Sequence, residues 1–289
     1  MPLDKYFNPE RIKIQNLSTE TPEKRSGGIF EPERDLTEED WQWLEDTLIG
    51  KNDSFNYLTH LSALYYAKLL SPQRFEDFRT DPVVFETALK THFETMNKHR
   101  DMSDFFKYAV NLKMGDPEMF KELEIGEEAE DNMISSLKKL IHSSSFWEQY
   151  ARDVKNFLIV SPGQKTEIGF NEYVKGKIAE ELNRLRSDGS KVSSFDNFVE
   201  LAASCRIAFP EIFSKINLNE YFFEKGRNRL NNLRSPRNLH LGPNFYKLAL
   251  DLMILSAEEV KITKKGLKIT MPIKDYIKDK TSLPEARKF

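Results

Sequence analysis

The stretch Asn171–Ser187, NEYVKGKIAEELNRLRS, returns forty-eight residues later as Asn219–Ser235, NEYFFEKGRNRLNNLRS. Asn-Glu-Tyr opens both, and the same offset joins Lys177 to Lys225, Leu182 to Leu230, Asn183 to Asn231, Leu185 to Leu233, Arg186 to Arg234 and Ser187 to Ser235. Internal repetition at this length is the mark of an array of supersecondary units. Val174, Ile178, Leu182 and Leu185 are spaced four, four and three, which keeps them on one face of a helix. Moving back forty-five residues gives Ala129, Met133, Leu137 and Leu140 at the same spacing. Phe85, Leu89, Phe93 and Met96 repeat it with a one-residue slip, and Trp41, Leu44 and Leu48 give a shorter version. In the last unit the series reads Phe222, Gly226, Leu230 and Leu233, with Gly226 as its weak spot.

A second helix follows in each unit. Its anchors are an aromatic, a small or branched residue four later and an apolar residue seven later: Phe105/Ala109/Leu112, Tyr150/Val154/Phe157, Phe198/Ala202/Cys205 and Phe245/Ala249/Leu252. The first unit departs, with His60/Leu64/Ala67. A small middle anchor lets a neighbouring backbone come close, which points to helix–helix packing rather than a ligand box. Pro72, Pro117, Pro162 and Pro210 each stand twelve residues after the first anchor and mark the end of the second helix. Thr37 with Asp40 reads as an N-cap pair.

About five such units of 45–48 residues are expected over residues 36–258. The period and the paired helices resemble the HEAT and armadillo class of α-solenoids. That resemblance implies an all-α, right-handed stack in which each unit shields the apolar side of the next. The 34-residue tetratricopeptide period does not fit. Residues 1–35, with Pro9, Pro22, Pro32 and Ser26-Gly27-Gly28, read as an extended arm docked through residues such as Tyr6, Ile12 and Phe30. In residues 259–289, Val260 and Ile262, then Leu267, Ile269 and Met271, alternate about the turn signal Lys264-Lys265-Gly266 and predict a β-hairpin capping the last helix pair.

Hydrophobic residues make up 39% of the 289, enough for a substantial core, and argue against global disorder. The lone cysteine, Cys205, sits in an apolar stretch and reads as core. No apolar run reaches the roughly 18–20 residues of a membrane span, and the N-terminus lacks a secretory pattern, so a cytoplasmic place is the default expectation. The net charge of −3 divides unevenly, −10 over residues 1–143 and +7 over residues 144–289. Such an asymmetry suits an acidic partner for the C-terminal end or head-to-tail association.

Phosphate-loop, dinucleotide and nucleophile-elbow patterns are absent. His92 and His99 share a helical face near Asp101 and Asp104, but their spacing is not that of a zinc helix, so no metal or cofactor is expected. The best candidate for binding is the basic segment Lys225, Arg227, Arg229, Arg237 and His240, interleaved with asparagines. Arg227 and Arg237 have no basic counterpart one repeat earlier, which favours them for function over Arg234. The leading expectation is a non-enzymatic scaffold for a protein or peptide. The alternative is nucleic-acid or polyanion binding by the basic C-terminal units, against which stands a sequence pI of about 6.1. Salt dependence separates them: the alternative requires affinity for random DNA or RNA that falls steeply between low and physiological salt, and no affinity at low salt excludes it.

Overall fold

The computed structural model describes residues 30, 32–42, 65–66, 68–70, 102–115, 117–123, 125–141, 146–163, 172–188, 192–233 and 242–271. Among them the helices are α1 (Pro32–Asp35), α2 (Met102–Gly115), α3 (Pro117–Glu122), α4 (Glu127–Ile141), α5 (Trp147–Val160), α6 (Glu172–Ser187), α7 (Val192–Ala208), α8 (Pro210–Phe213), α9 (Glu220–Leu233) and α10 (Gly242–Ser256). Strands β1 (Glu259–Thr263) and β2 (Gly266–Thr270) complete a mostly helical chain with one small antiparallel sheet. The apolar series of the Phe85 unit, Leu44 and Leu48, and the anchors His60, Leu64 and Ala67 lie outside the described residues.

The three-residue anchor rule accounts for the core. All twelve anchors of α2, α5, α7 and α10 are buried, and so are Ala129, Met133 and Leu137 of α4 and Val174, Ile178, Leu182 and Leu185 of α6. The helices of a unit differ in how much of their circumference is apolar. α6 buries only its four-residue stripe, and its outer face is tied by the Lys175–Glu172, Lys177–Glu180 and Arg184–Glu181 pairs; exposed pairs at this spacing stabilise a helix by only a few tenths of a kcal/mol each, roughly. α7 is buried on nearly every side, the expected state of a central helix.

α7 packs between α5 and α10, and α5 packs in turn on α2. Ser103 Oγ donates to Asp153 Oδ1 at 2.9 Å, Arg152 Nη1 to Glu200 Oε1 at 3.4 Å and Arg206 Nη1 to the Leu255 carbonyl at 2.6 Å, across separations of 50, 48 and 49 residues. Ser103 and Lys113 meet Asp153 and Ile159, and Glu200 and Arg206 meet Lys247 and Leu255, in the same order along each pair, so α2 runs parallel to α5 and α7 to α10, and the hairpin, which touches α2, α5 and α7, joins the two pairs at a common end. α4 packs against α5 and α2, α6 against α7 and α5, and α9 against α10.

Parallel helices bring their C-terminal carbonyls to one end, where four per helix lack intrahelical partners. Two basic residues at the same repeat position meet this demand. Lys113 Nζ donates to the carbonyls of Ile159 and Val160 at 2.9 and 3.0 Å, and the Arg206 guanidinium donates to those of Leu255, Ala257 and Glu258. The hairpin lies at this same end. Its register runs from Glu259 opposite Thr270 to Thr263 opposite Gly266, and Gly266 takes a φ of 108° beside the two-residue turn, a conformation that glycine favours. It touches α2, α5 and α7, and the Leu267 N–H donates to Met114 Sδ at 3.2 Å. The cap therefore spans several units rather than the last pair alone, because its apolar side meets the gathered helix ends.

Other local expectations are refined. The prolines stop one helix and start another: Pro117 opens α3 and Pro210 opens α8, positions where a missing N–H costs nothing. Thr37 and Asp40 cap each other, with the Thr37 N–H donating to Asp40 Oδ2 at 2.7 Å and the Asp40 N–H to Thr37 Oγ1 at 3.3 Å. Within the segment read as an extended arm, Phe30 is buried and α1 is helical.

The N-terminal part meets the C-terminal helices. Asp35 Oδ1 accepts from Arg227 Nε at 3.0 Å, the Tyr246 hydroxyl donates to the Asp40 carbonyl, and Ser256 Oγ donates to the Phe30 carbonyl at 3.3 Å. Part of the charge asymmetry in the sequence is thus met inside the chain, where an acidic N-terminal residue pairs with a basic C-terminal one.

Gly226 is a close approach, not a weak spot. A Cβ there would stand 2.8 and 2.9 Å from the two terminal methyls of Leu252, which is fully buried. Gly226→Val is expected to cost about 1–3 kcal/mol by overpacking, measured by urea denaturation. In a Leu252→Ala background the same substitution should cost less; an equal cost in both would refute the steric account.

Candidate functional site: a charged stripe and the cleft beside it

The repeat register that places the anchors also places polar residues. Two positions after each aromatic anchor stand Lys107, Arg152, Glu200 and Lys247; six after stand Asn111, Asn156, Ser204 and Asp251. A separation of four sets the two members of each helix on a common face. Asn111, Asn156, Ser204 and Asp251 are all buried, so the parallel helices share a row of polar side chains within an otherwise apolar layer. The Ser204 hydroxyl has no hydrogen-bond partner among the described residues, and neither has that of Tyr150.

The outer row is an ion ladder. Glu200 on α7 receives Arg152 from α5 and Lys247 from α10. Burial pushes its carboxyl up, but Lys247, Lys155 and Arg152 outweigh that effect and hold it at about 2. Asp251 has the opposite balance. Burial, with help from Glu200, raises it to about 6 against the pull of Lys247 and Lys155. Asp153 is likewise raised to about 6 by burial, although Ser103 donates to it and Arg152 stands beside it. Lys155, half-buried, is lowered by desolvation against the attraction of Asp251 and Glu200. Tyr65 and Tyr66 reach this region from the N-terminal part. Burial raises both phenols, the charge of Asp251 adds to it, and Tyr66 also senses Glu200 and Tyr108.

Where α5 and α7 begin, the ladder opens into a cleft of about 210 Å³ lined by Phe146, Glu148, Gln149, Arg152, Asn197 and Glu200. Phe146 is 53% exposed and occupies the N-cap position of α5, where it offers no side-chain cap. Glu148 of α5 and Glu181 of α6 both face one guanidinium, that of Arg184, which stands 3.6 Å from Glu148. Burial, then the neighbouring Glu181, raises Glu148; the bond from Arg184 lowers Glu181.

The residues singled out in the sequence lie elsewhere. Lys225 Nζ stands 4.8 Å over the Phe195 ring, Arg227 pairs with Asp35, and Arg229 makes a two-pronged pair with Asp196 at 2.8–3.1 Å. Arg237, His240 and the other four histidines lie outside the described residues. Arg227 and Arg229 thus join α9 to neighbouring segments. The ladder had a legible signal, a recurring polar pair at fixed offsets from the anchors, that a search for apolar periodicity passes over. Cys205 is fully buried, and burial raises its thiol. No helix among the described residues is long and apolar enough to cross a membrane. Comparison of the chain with known proteins finds no matching family model, no matching curated protein and no matching solved structure.

The carboxyls of Asp251 and Glu200 make opposite contributions to stability. Asp251 binds its proton more tightly folded than unfolded, so its contribution falls as pH rises from about 4 to about 6. Asp251→Asn, which keeps the neutral shape, should stabilise the protein at pH 8 by about 3 kcal/mol, and the gain should vanish below pH ~4. Glu200 contributes above its ordinary range and loses that contribution as pH falls toward about 2. Glu200→Gln should therefore destabilise at pH 7, with the deficit shrinking in acid. Thermal unfolding of both variants across pH 3–8 checks the signs.

Proposed function

We propose that the helix pairs form a short, right-handed α-solenoid of the HEAT and armadillo kind, curled so that its first unit meets its last, and that the protein is a non-enzymatic scaffold for a protein or peptide partner. The parallel run of α2, α5, α7 and α10, bridged at nearly constant residue offsets, supports the architecture. The observation that carries the function is the make-up of the cleft. Gln149 and Asn197 supply amides that can both donate to and accept from a peptide backbone, and Phe146 supplies an apolar ledge. Glu148, Arg152 and Glu200 supply both signs of charge. This set suits a polypeptide segment better than a phosphate chain, which two carboxylates would repel. The internal pairing of Arg227 and Arg229 weighs the same way.

The test is selection from a displayed peptide library on the full chain, counter-screened on a Gln149→Ala/Asn197→Ala variant. Asn197 is exposed and Gln149 half-buried, so the fold should persist, as circular dichroism would check. Peptides that bind the wild type and lose at least roughly tenfold on the variant, about 1.4 kcal/mol, support the reading. A library yielding no binder, or only binders indifferent to the variant, overturns it.

A further inference from the structure

One short motif of the repeat is only half explained by packing. Asn183-x-Leu185-Arg186-Ser187, at the end of α6, recurs as Asn231-x-Leu233-Arg234-Ser235. Leu185 and Leu233 are buried, and Ser187 Oγ donates to the Asn183 carbonyl at 2.9 Å, which closes the last turn of α6. Asn183 and Arg186 are exposed, so the core does not demand their identity. Both line a dimple of about 30 Å³ whose apolar lining is Leu182, Phe198, Ile212 and Ile216, and Lys215 lines it too. The other cations of α6 are paired: Lys175 with Glu172 and Glu211, Lys177 with Glu180, Arg184 with Glu181 and Glu148. Arg186 and Lys215 are exposed, and neither side chain makes an ion pair or a hydrogen bond among the described residues. Among those residues no acidic side chain lines the dimple. Two unpaired cations beside an apolar dimple are complementary to a carboxylate next to an apolar group.

We propose that this dimple docks an acidic segment of a partner polypeptide: one small aliphatic side chain enters it, and a neighbouring Asp or Glu carboxylate meets Arg186 and Lys215. The inference rests on the scaffold reading and names the chemistry of its partner. A water-sized group occupies roughly 10–15 Å³, so the dimple takes the methyl end of one side chain and excludes an aromatic ring or a nucleobase. Arg186 can hold a carboxylate through two parallel N–H donors, Lys215 adds a point charge, and Asn183 offers an amide that can donate to and accept from a peptide backbone. The apolar lining gives a phosphate chain nothing to bury, so an acidic peptide fits better than nucleic acid. The net charge of +7 over residues 144–289 favours the same partner at longer range.

The probe is a capped Gly-Glu-Val-Glu-Gly peptide, titrated into the full chain and followed by backbone NMR shifts. One control replaces both glutamates by glutamine, which keeps the shape and removes the charge; a second replaces the valine by glycine. The expected result is saturable shifts at residues 182–186 and 212–216 with the acidic peptide, and binding of each control weaker by about fivefold or more. An Arg186→Gln/Lys215→Gln variant should lose a similar factor, and because both side chains are exposed its circular dichroism should match the wild type. Equal binding of the acidic and glutamine peptides, indifference to the double variant, or no saturable shift around the dimple would each overturn the site. A short single-stranded DNA that moves the same resonances at lower concentration than the peptide would overturn it in favour of a polyanion. The two proposals fail separately: library peptides that depend on Gln149 and Asn197, on a chain that ignores the acidic probe, would sink the dimple and leave the scaffold standing.

Discussion

Four helices lying parallel and close together constrain everything else in this protein. Ala109, Val154, Ala202 and Ala249 sit at the middle anchors of α2, α5, α7 and α10 and are fully buried, so the backbones come near each other where the side chains are small. Closeness has an electrostatic cost, since parallel helices align their dipoles and gather like ends. The gathered carbonyl end is met by Lys113 and Arg206, each donating to the C-terminus of the next helix in line, and by a hairpin that carries lysines. The gathered N–H end has acidic residues beside it: Asp104 and Glu148 in the first turns of α2 and α5, and Asp196 near the start of α7. The cleft lies at that second end, so its carboxylates serve the helix termini as well as any ligand.

The same alignment explains why a polar row survives inside the layer. Once the anchors fix the register, residues six positions on fall together whether or not they are apolar. Neutral Asn111, Asn156 and Ser204 fit this row without an ionic cost. Asp251 does not, and burial raises its carboxyl to about 6, with Lys155 and Lys247 close by. A charged group at such a place costs stability in an amount that depends on pH, and the cost is confined to α10 and the segments it touches.

Much of this was written locally in the chain. Anchors, helix ends, the Thr37–Asp40 cap and the hairpin turn all follow from spacings within one unit, because period and capping are short-range properties. The partners of Arg227 and Tyr246 could not be found that way, since they lie 192 and 206 residues distant. A repeat reports how a unit meets its successor and is silent on whether the first unit meets the last. That is why Arg227 and Arg229 looked available in the sequence and are found joined to Asp35 and Asp196. In the last unit Phe222 takes the apolar position by sequence, yet Phe223 is the buried one, while Phe222 packs at the edge against Phe195 and Phe198.

The join between the N-terminal part and α10 also sets an order of events during synthesis. Residues 30–42 leave the ribosome some two hundred residues before Arg227, Tyr246 and Ser256 exist to receive them. Pairs such as α4 with α5 and α6 with α7 need only near neighbours in the chain and can assemble as they emerge, whereas closure waits for α9 and α10. Until then Phe30 and Trp41, both buried in the finished protein, lack the α10 hydroxyls of Tyr246 and Ser256 that hold their segment in place.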